Sequence, residues 1–204
     1  MEHWDSFFNN ADDLKRAKRQ QLEGVLDALP WIAAVDKFQH WVYLNPNHSV
    51  SDRYDAWMQI MKDFGAGVIN YYGLEENVKR RWQVQLHLFE VPFYYIEYGF
   101  AQLGAIAMWR QYKRNPKEAI KNYKAALSLG YTKTIPEIYK MAGIEFNFSP
   151  EYVKELADFV QEFLVISVGF HQDRLRELQR GGNGELLWNS LRILRILPSD
   201  KSLG

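Results

Sequence analysis

DDLKRAKRQQLEGVLDALPWIAAVDKFQHWVYL, residues 12–44, carries helix signals along nearly its whole length. Up to Leu29 it is dense in Lys, Arg, Gln, Glu, Leu and Ala, which lose little freedom in a helix. Its apolar positions Leu14, Ala17, Leu22, Val25, Leu26 and Leu29 roughly follow the helical period. Pro30 is expected to end or kink this helix, because proline lacks an N–H and crowds the carbonyl four residues back. Trp31–Leu44 then predicts a more aromatic helix, with Ile32, Val35, Phe38, Val42 and Tyr43 on its apolar side. The turn Asn45-Pro46-Asn47 stops it.

The same signals recur downstream. Ser49 and Asp52 form a capping pair for a helix to about Phe64. Gly65-Ala66-Gly67 is a break. Glu75–Leu86 predicts a helix, and Pro92–Tyr112 a long, mostly buried one whose Gly99, Ala101, Gly104, Ala105 and Ala107 allow close helix packing. Asn115-Pro116 and Ser149-Pro150 each place a cap and then a proline at the first helical position, the second helix running to about Leu164. Gly130 and Gly143 stand where helices close. Phe146–Phe148 reads as a short extended piece. No pair of strands with a hairpin turn is visible, so the expected fold class is all-α.

Composition narrows the function classes. The chain has 204 residues, 25 Lys+Arg against 25 Asp+Glu, and no cysteine. The balanced charge argues against nucleic acid as the main partner, which calls for a basic face. The lack of Cys excludes disulfides, a Cys nucleophile and Cys-ligated metal, and fits a cytoplasmic location. No stretch approaches the roughly 18–20 apolar residues of a membrane span. The 7 Trp, 12 Tyr and 12 Phe suit a bulky core, and Tyr and Trp can also line a peptide cleft.

Composition shifts near residue 166. Residues 1–165 read as one helical domain. Residues 166–204 read as an unassigned tail rich in Arg, with a flexible break at Gly181-Gly182-Asn183-Gly184. A short amphipathic helix, Glu185–Leu197, is expected after it, striped by Leu187, Leu191 and Leu194. Ala119, Tyr123 and Ala126 echo a tetratricopeptide helix, but no period of about 34 residues follows.

The histidines are His3, His40, His48, His87 and His171, and none opens a His-Glu-x-x-His motif, which would set two imidazoles on one helix face. No phosphate loop and no serine elbow is present. The run His87-Leu-Phe-Glu-Val-Pro-Phe-Tyr-Tyr-Ile-Glu-Tyr98 stands out. If Pro92 opens a helix, Tyr94, Tyr95 and Tyr98 lie one turn apart and project phenols in a row, with His87 just before them. Such phenols could donate to one carbonyl oxygen, or they could be buried tyrosines with satisfied hydroxyls.

The order of these residues adds a resemblance. His87–Gln102, Asp36–Tyr43, Tyr123–Gly130, Leu22–Leu26 and Leu29–Ala34 together resemble oligoendopeptidase F, a member of the thimet-oligopeptidase-like zinc metallopeptidases. The resemblance covers about residues 1–165. It implies a two-lobed helical shell around a channel in which a single zinc, held by a His-Glu-x-x-His helix and a later Glu, hydrolyses short peptides. By position, Tyr95 and Tyr98 match catalytic tyrosines that hydrogen-bond the scissile carbonyl and its oxyanion. His87 matches a substrate-binding histidine, and Tyr94 is a further substrate-binding candidate. The zinc ligands would lie upstream of residue 1. The chain is therefore expected to be a C-terminal portion that binds no zinc alone and is inactive alone. It would need the missing N-terminal part, or self-association, to cover its exposed apolar surface. A non-catalytic helical peptide-binding or interaction scaffold is the alternative.

Overall fold

The computed structural model describes residues 1–65 and 69–168. Ala66 and Gly67 of the expected break lie outside them, as do the glycine run 181–184 and the expected helix Glu185–Leu197. Among the described residues there is no strand, and the chain is all-α.

The first helix, α1, runs unbroken from Ala11 to Leu44, 34 residues or about 50 Å. The Asn10 side chain caps it by accepting the Asp13 N–H at 2.7 Å. Pro30 therefore does not end the helix as expected. Its missing N–H forfeits one hydrogen bond, and packing on both sides outweighs that loss. Before Pro30, Leu22, Leu26 and Leu29 enter one core. After it, Ala33, Ala34, Val35 and Phe38 enter another. A rod anchored at both halves continues through a residue that would break an isolated helix.

Helix α2 spans Val50–Phe64 and opens with the expected capping box. Ser49 Oγ accepts the Asp52 N–H at 3.1 Å, and the Asp52 carboxylate accepts the Ser49 N–H at 2.9 Å. The expected helix Glu75–Leu86 splits into α3, Glu75–Lys79, and a 3₁₀ turn, Arg81–Val84. The tighter turn carries Trp82 into the core against Phe38, with ring centroids 5.3 Å apart, and leaves Val84 and Leu86 exposed. Helix α4 is a single turn, His87–Glu90, and α5 spans Ile96–Arg114. Pro92 does not open α5. Phe93 takes a positive φ of 59°, which no helix accommodates, so the helix starts four residues later.

Helix α6, Pro116–Ser128, begins at Asn115 and Pro116, and α8, Pro150–Val168, begins at Ser149 and Pro150, as their caps predict. Between them lies a short helix, α7, Ile135–Met141, of which the sequence marked only the close at Gly143. Gly130 and Gly143, at φ 53° and 76°, close α6 and α7 in the left-handed region. Phe146–Phe148 is loop, not strand, and Phe146 and Phe148 pack with Phe100 of α5. The α6–α7 pair differs in length from its 19-residue neighbours α5 and α8, so the tetratricopeptide echo stays a single one.

Helix α1 is the spine. Its first half packs with α5 and α8 around Leu103, Ile106, Leu156 and Val160. Its second half packs with α2 around Trp57, Ile60 and Phe64. Small residues bring α5 close to its neighbours. A Cβ on Gly99 would lie 3.3 Å from Ile32, and one on Gly104 would lie 2.6 Å from the Tyr139 hydroxyl. Gly24 in α1 is different, since a Cβ there meets nothing within 4 Å. Gly24→Ala is therefore expected to stabilise the chain by about 0.5–1 kcal/mol through helix propensity. Urea unfolding measures this, and a lower midpoint would contradict the open space at that position. No described helix is long and apolar enough to cross a membrane.

Candidate functional site

The run from His87 to Tyr98 folds as one turn of helix, a tight loop and the start of α5. His87 opens α4, Tyr94 sits in the loop, Tyr95 caps α5 and Tyr98 lies in its first turn. The expected row of phenols on one rigid helix is replaced by a cluster drawn together from three local structures. Around the His87 ring, the centroids of Tyr94, Tyr95 and Tyr98 lie at 6.4, 4.9 and 5.6 Å. Tyr98 in turn lies 6.0 Å from Tyr94 and 5.3 Å from Tyr95. Tyr94 and Tyr98 are 50% and 45% exposed, so these phenols face the surface and not a sealed interior.

Donor and acceptor roles can be followed inward from the cluster. Trp31 Nε1, which can only donate, lies 3.2 Å from Gln85 Oε1. That fixes the Gln85 amide and turns its NH₂ toward His87 Nδ1, also at 3.2 Å. Nδ1 must then accept, which puts the proton of a neutral imidazole on Nε2. His87 Nε2 is 3.3 Å from the Tyr98 oxygen. With the imidazole N–H donated to that oxygen, the phenol proton of Tyr98 is free to point outward. The chain Trp31–Gln85–His87–Tyr98 thus ends in an exposed donor.

The loop is held from beneath by α1. The buried Gln39 accepts the Phe93 N–H at 2.8 Å, and this anchors the strained residue. The Phe93 ring rests against His40 at 4.8 Å and Tyr43 at 5.0 Å. One turn before His40 on α1, burial pushes the Asp36 carboxyl above its ordinary value, and the nearby His40 opposes the shift. A raised folded-state value means that stability is complete below the ordinary carboxylate range. It falls as pH rises from there through the folded-state value. Asp36→Asn is expected to flatten that part of the pH–stability curve in urea titrations. An unchanged slope would show that Asp36 is not desolvated.

Gln85, Trp31 and Gln39 were not singled out in the sequence. Gln39 had a legible signal, as a polar residue beside Phe38 on a helix face that continues to Val42. Gln85 had none beyond its place two residues before His87. His40 and His48, on either side of the Asn-Pro-Asn turn, have separate partners: Asp36 for the first, Arg53 and Asn45 for the second. Among the described residues no three His, Cys, Asp or Glu side chains gather in a way that could hold a metal ion. His171 lies outside the described residues.

No curated protein matches this chain. A solved X-ray structure assigned to oligoendopeptidase F matches it with a TM-score of 0.64 and 29% sequence identity. The match covers 75% of this chain and 27% of the solved one, so the chain spans about a quarter of that relative's length. The family model of Peptidase family M3 matches residues 1–158, and with the helical fold and the ordered motifs this establishes that the chain belongs to Peptidase family M3.

Proposed function

We propose that this chain supplies the carbonyl-gripping side of a zinc metallo-oligopeptidase of the oligoendopeptidase F type, acting on short peptides. The observation that carries the reading is the hydrogen-bonded chain from Trp31 to an exposed Tyr98 hydroxyl. Its proton is left free for an acceptor outside the protein. A peptide carbonyl is such an acceptor, and it becomes a stronger one as negative charge develops on its oxygen during hydrolysis. His87 orients the phenol. Tyr95, packed edge-on against both, fixes the ring geometry and adds a second phenol. Tyr94 is placed to meet the flanking peptide.

The family implies zinc, and the residues here do not fit it. Zinc sites draw on three or four Cys, His or carboxylate ligands. His87 is surrounded by phenols and a carboxamide, and its Nδ1 accepts from Gln85. No step through the metal is assigned to these residues. The partner in this reading is the portion of such an enzyme that carries the metal ligands, and a reducing cytoplasm suits the cysteine-free chain.

The test has two arms. With added zinc, the chain alone is expected to leave a quenched fluorescent peptide intact. Mixed with a segment carrying a His-Glu-x-x-His helix and third-ligand Glu, it is expected to support cleavage. Robust zinc-dependent cleavage by the chain alone would overturn this division of labour. In the second arm, His87→Ala is expected to weaken binding of a labelled capped peptide to the chain by several-fold. Binding indifferent to that change would remove the grip. A peptide holder that never cleaves is the second reading, favoured by a grip complete within this chain. Binding that persists while mixing restores no cleavage would select it.

A further inference from the structure

One turn after Tyr98 on α5, Gln102 lines a cavity of about 600 Å³ that the carbonyl grip does not use. Its walls are Trp4, Phe7 and Phe8 from the N-terminal segment, Gln20 and Gln21 from α1, and Gln102 from α5. Gln102 lies four residues after Tyr98 on the same helix, so the two share a face and are about 6 Å apart along the axis. An extended peptide advances about 3.3 Å per residue. Two residues therefore carry a peptide from a carbonyl at Tyr98 to Gln102.

Gly24 forms part of the cavity wall from the middle of α1. The glycines of α5 are explained by close neighbours, Ile32 at Gly99 and Tyr139 at Gly104, whereas Gly24 faces open space. No packing contact requires it, and what its missing side chain leaves is room. The described residues lining the cavity include no ionisable side chain. A charged group entering it would lose water and find no counter-ion. Three aromatic rings offer apolar contact, and three carboxamides offer both donors and acceptors to a peptide backbone. Phe7 is 79% exposed, so its ring is available to a ligand.

We propose that this cavity is a side-chain subsite of the peptide groove. It takes a neutral, large apolar residue, aromatic or branched aliphatic, two positions along the peptide from the carbonyl held at Tyr98. The Gln20, Gln21 and Gln102 amides pair with the backbone around it. The proposal rests on the carbonyl-gripping reading above and adds its substrate class.

The full chain is titrated with three labelled, capped hexapeptides: all alanine, one Phe among alanines, and one Asp in place of the Phe. Wild-type chain is expected to bind the Phe peptide roughly tenfold tighter than the alanine peptide. The Asp peptide is expected to bind no tighter than the alanine one. Gly24→Leu fills the cavity and is expected to erase the Phe preference. The preference is read as the ratio of the Phe-peptide to the alanine-peptide affinity, with the helical circular dichroism unchanged. Phe7→Ala, at an exposed position, is expected to reduce the same preference and decides the matter if Gly24→Leu fails to fold. Tyr98→Phe is expected to weaken all three peptides alike. A Phe preference that survives both cavity variants would overturn the subsite and leave the reading at Tyr98 standing. Absence of binding by any of the peptides, or binding indifferent to Tyr98→Phe, would overturn both.

Discussion

Tyr98→Phe is expected to lower kcat for zinc-dependent peptide cleavage by roughly 10²–10³-fold once the chain is combined with a segment carrying the metal ligands. KM is expected to rise only a few-fold, by the ground-state share of the same hydrogen bond. The substitution deletes one oxygen and leaves the ring, so the contacts with His87, Tyr94 and Tyr95 persist. What disappears is the donor at the end of the Trp31–Gln85–His87 chain. A donor aimed at a carbonyl oxygen matters most when that oxygen carries the most negative charge, which is in the transition state. The larger part of the loss therefore belongs in kcat. Initial rates with a quenched fluorescent peptide at saturating and subsaturating concentrations separate the two constants. A kcat within twofold of the unaltered chain would show that this hydroxyl does not meet the reacting carbonyl.

Trp57→Ala is expected to destabilise the chain by about 3–5 kcal/mol, most of the margin of a small domain. Trp57 has no exposed surface. Its ring packs edge-on against Phe38 at 5.1 Å and Trp31 at 5.7 Å, and its indole N–H donates to the Val78 carbonyl at 2.9 Å. Truncation opens a cavity between α1 and α2 and removes the indole donor from that carbonyl. The damage reaches the site, because Trp31 both packs on Trp57 and holds Gln85. Urea unfolding followed by circular dichroism gives the stability change, and peptide binding is expected to fall with it. A shift below 1 kcal/mol would mean that the second core does not depend on this residue.

The reach of the sequence differs from element to element for physical reasons. Caps are local. Asn115-Pro116 and the Ser49–Asp52 pair involve neighbours three residues apart, and they specified helix starts that the structure shares. Pro30 and Pro92 follow the same local chemistry, yet the first does not end its helix and the second does not open one, because the deciding contacts are distant. The two cores of α1 hold the helix together across Pro30. Gln39 of α1, 54 residues earlier in the chain, anchors Phe93 and delays α5. The cluster residues His87, Tyr94, Tyr95 and Tyr98 were legible because they sit within 12 positions of one another. The bonds that Trp31 and Gln39 make to their partners were not, because a hydrogen bond spanning 54 residues leaves no periodicity to read.

By itself the sequence determined an all-α chain, most of its helix starts, and the residue types at the candidate site. All of these are set by backbone propensity, capping and spacing over a few residues. Only the tertiary structure decided that one helix runs through Pro30, that Phe93 is strained into place, and that the phenols meet His87 at an open surface. Those outcomes depend on which distant side chains share a core, and burial energy between remote segments overrides local preference wherever the two conflict.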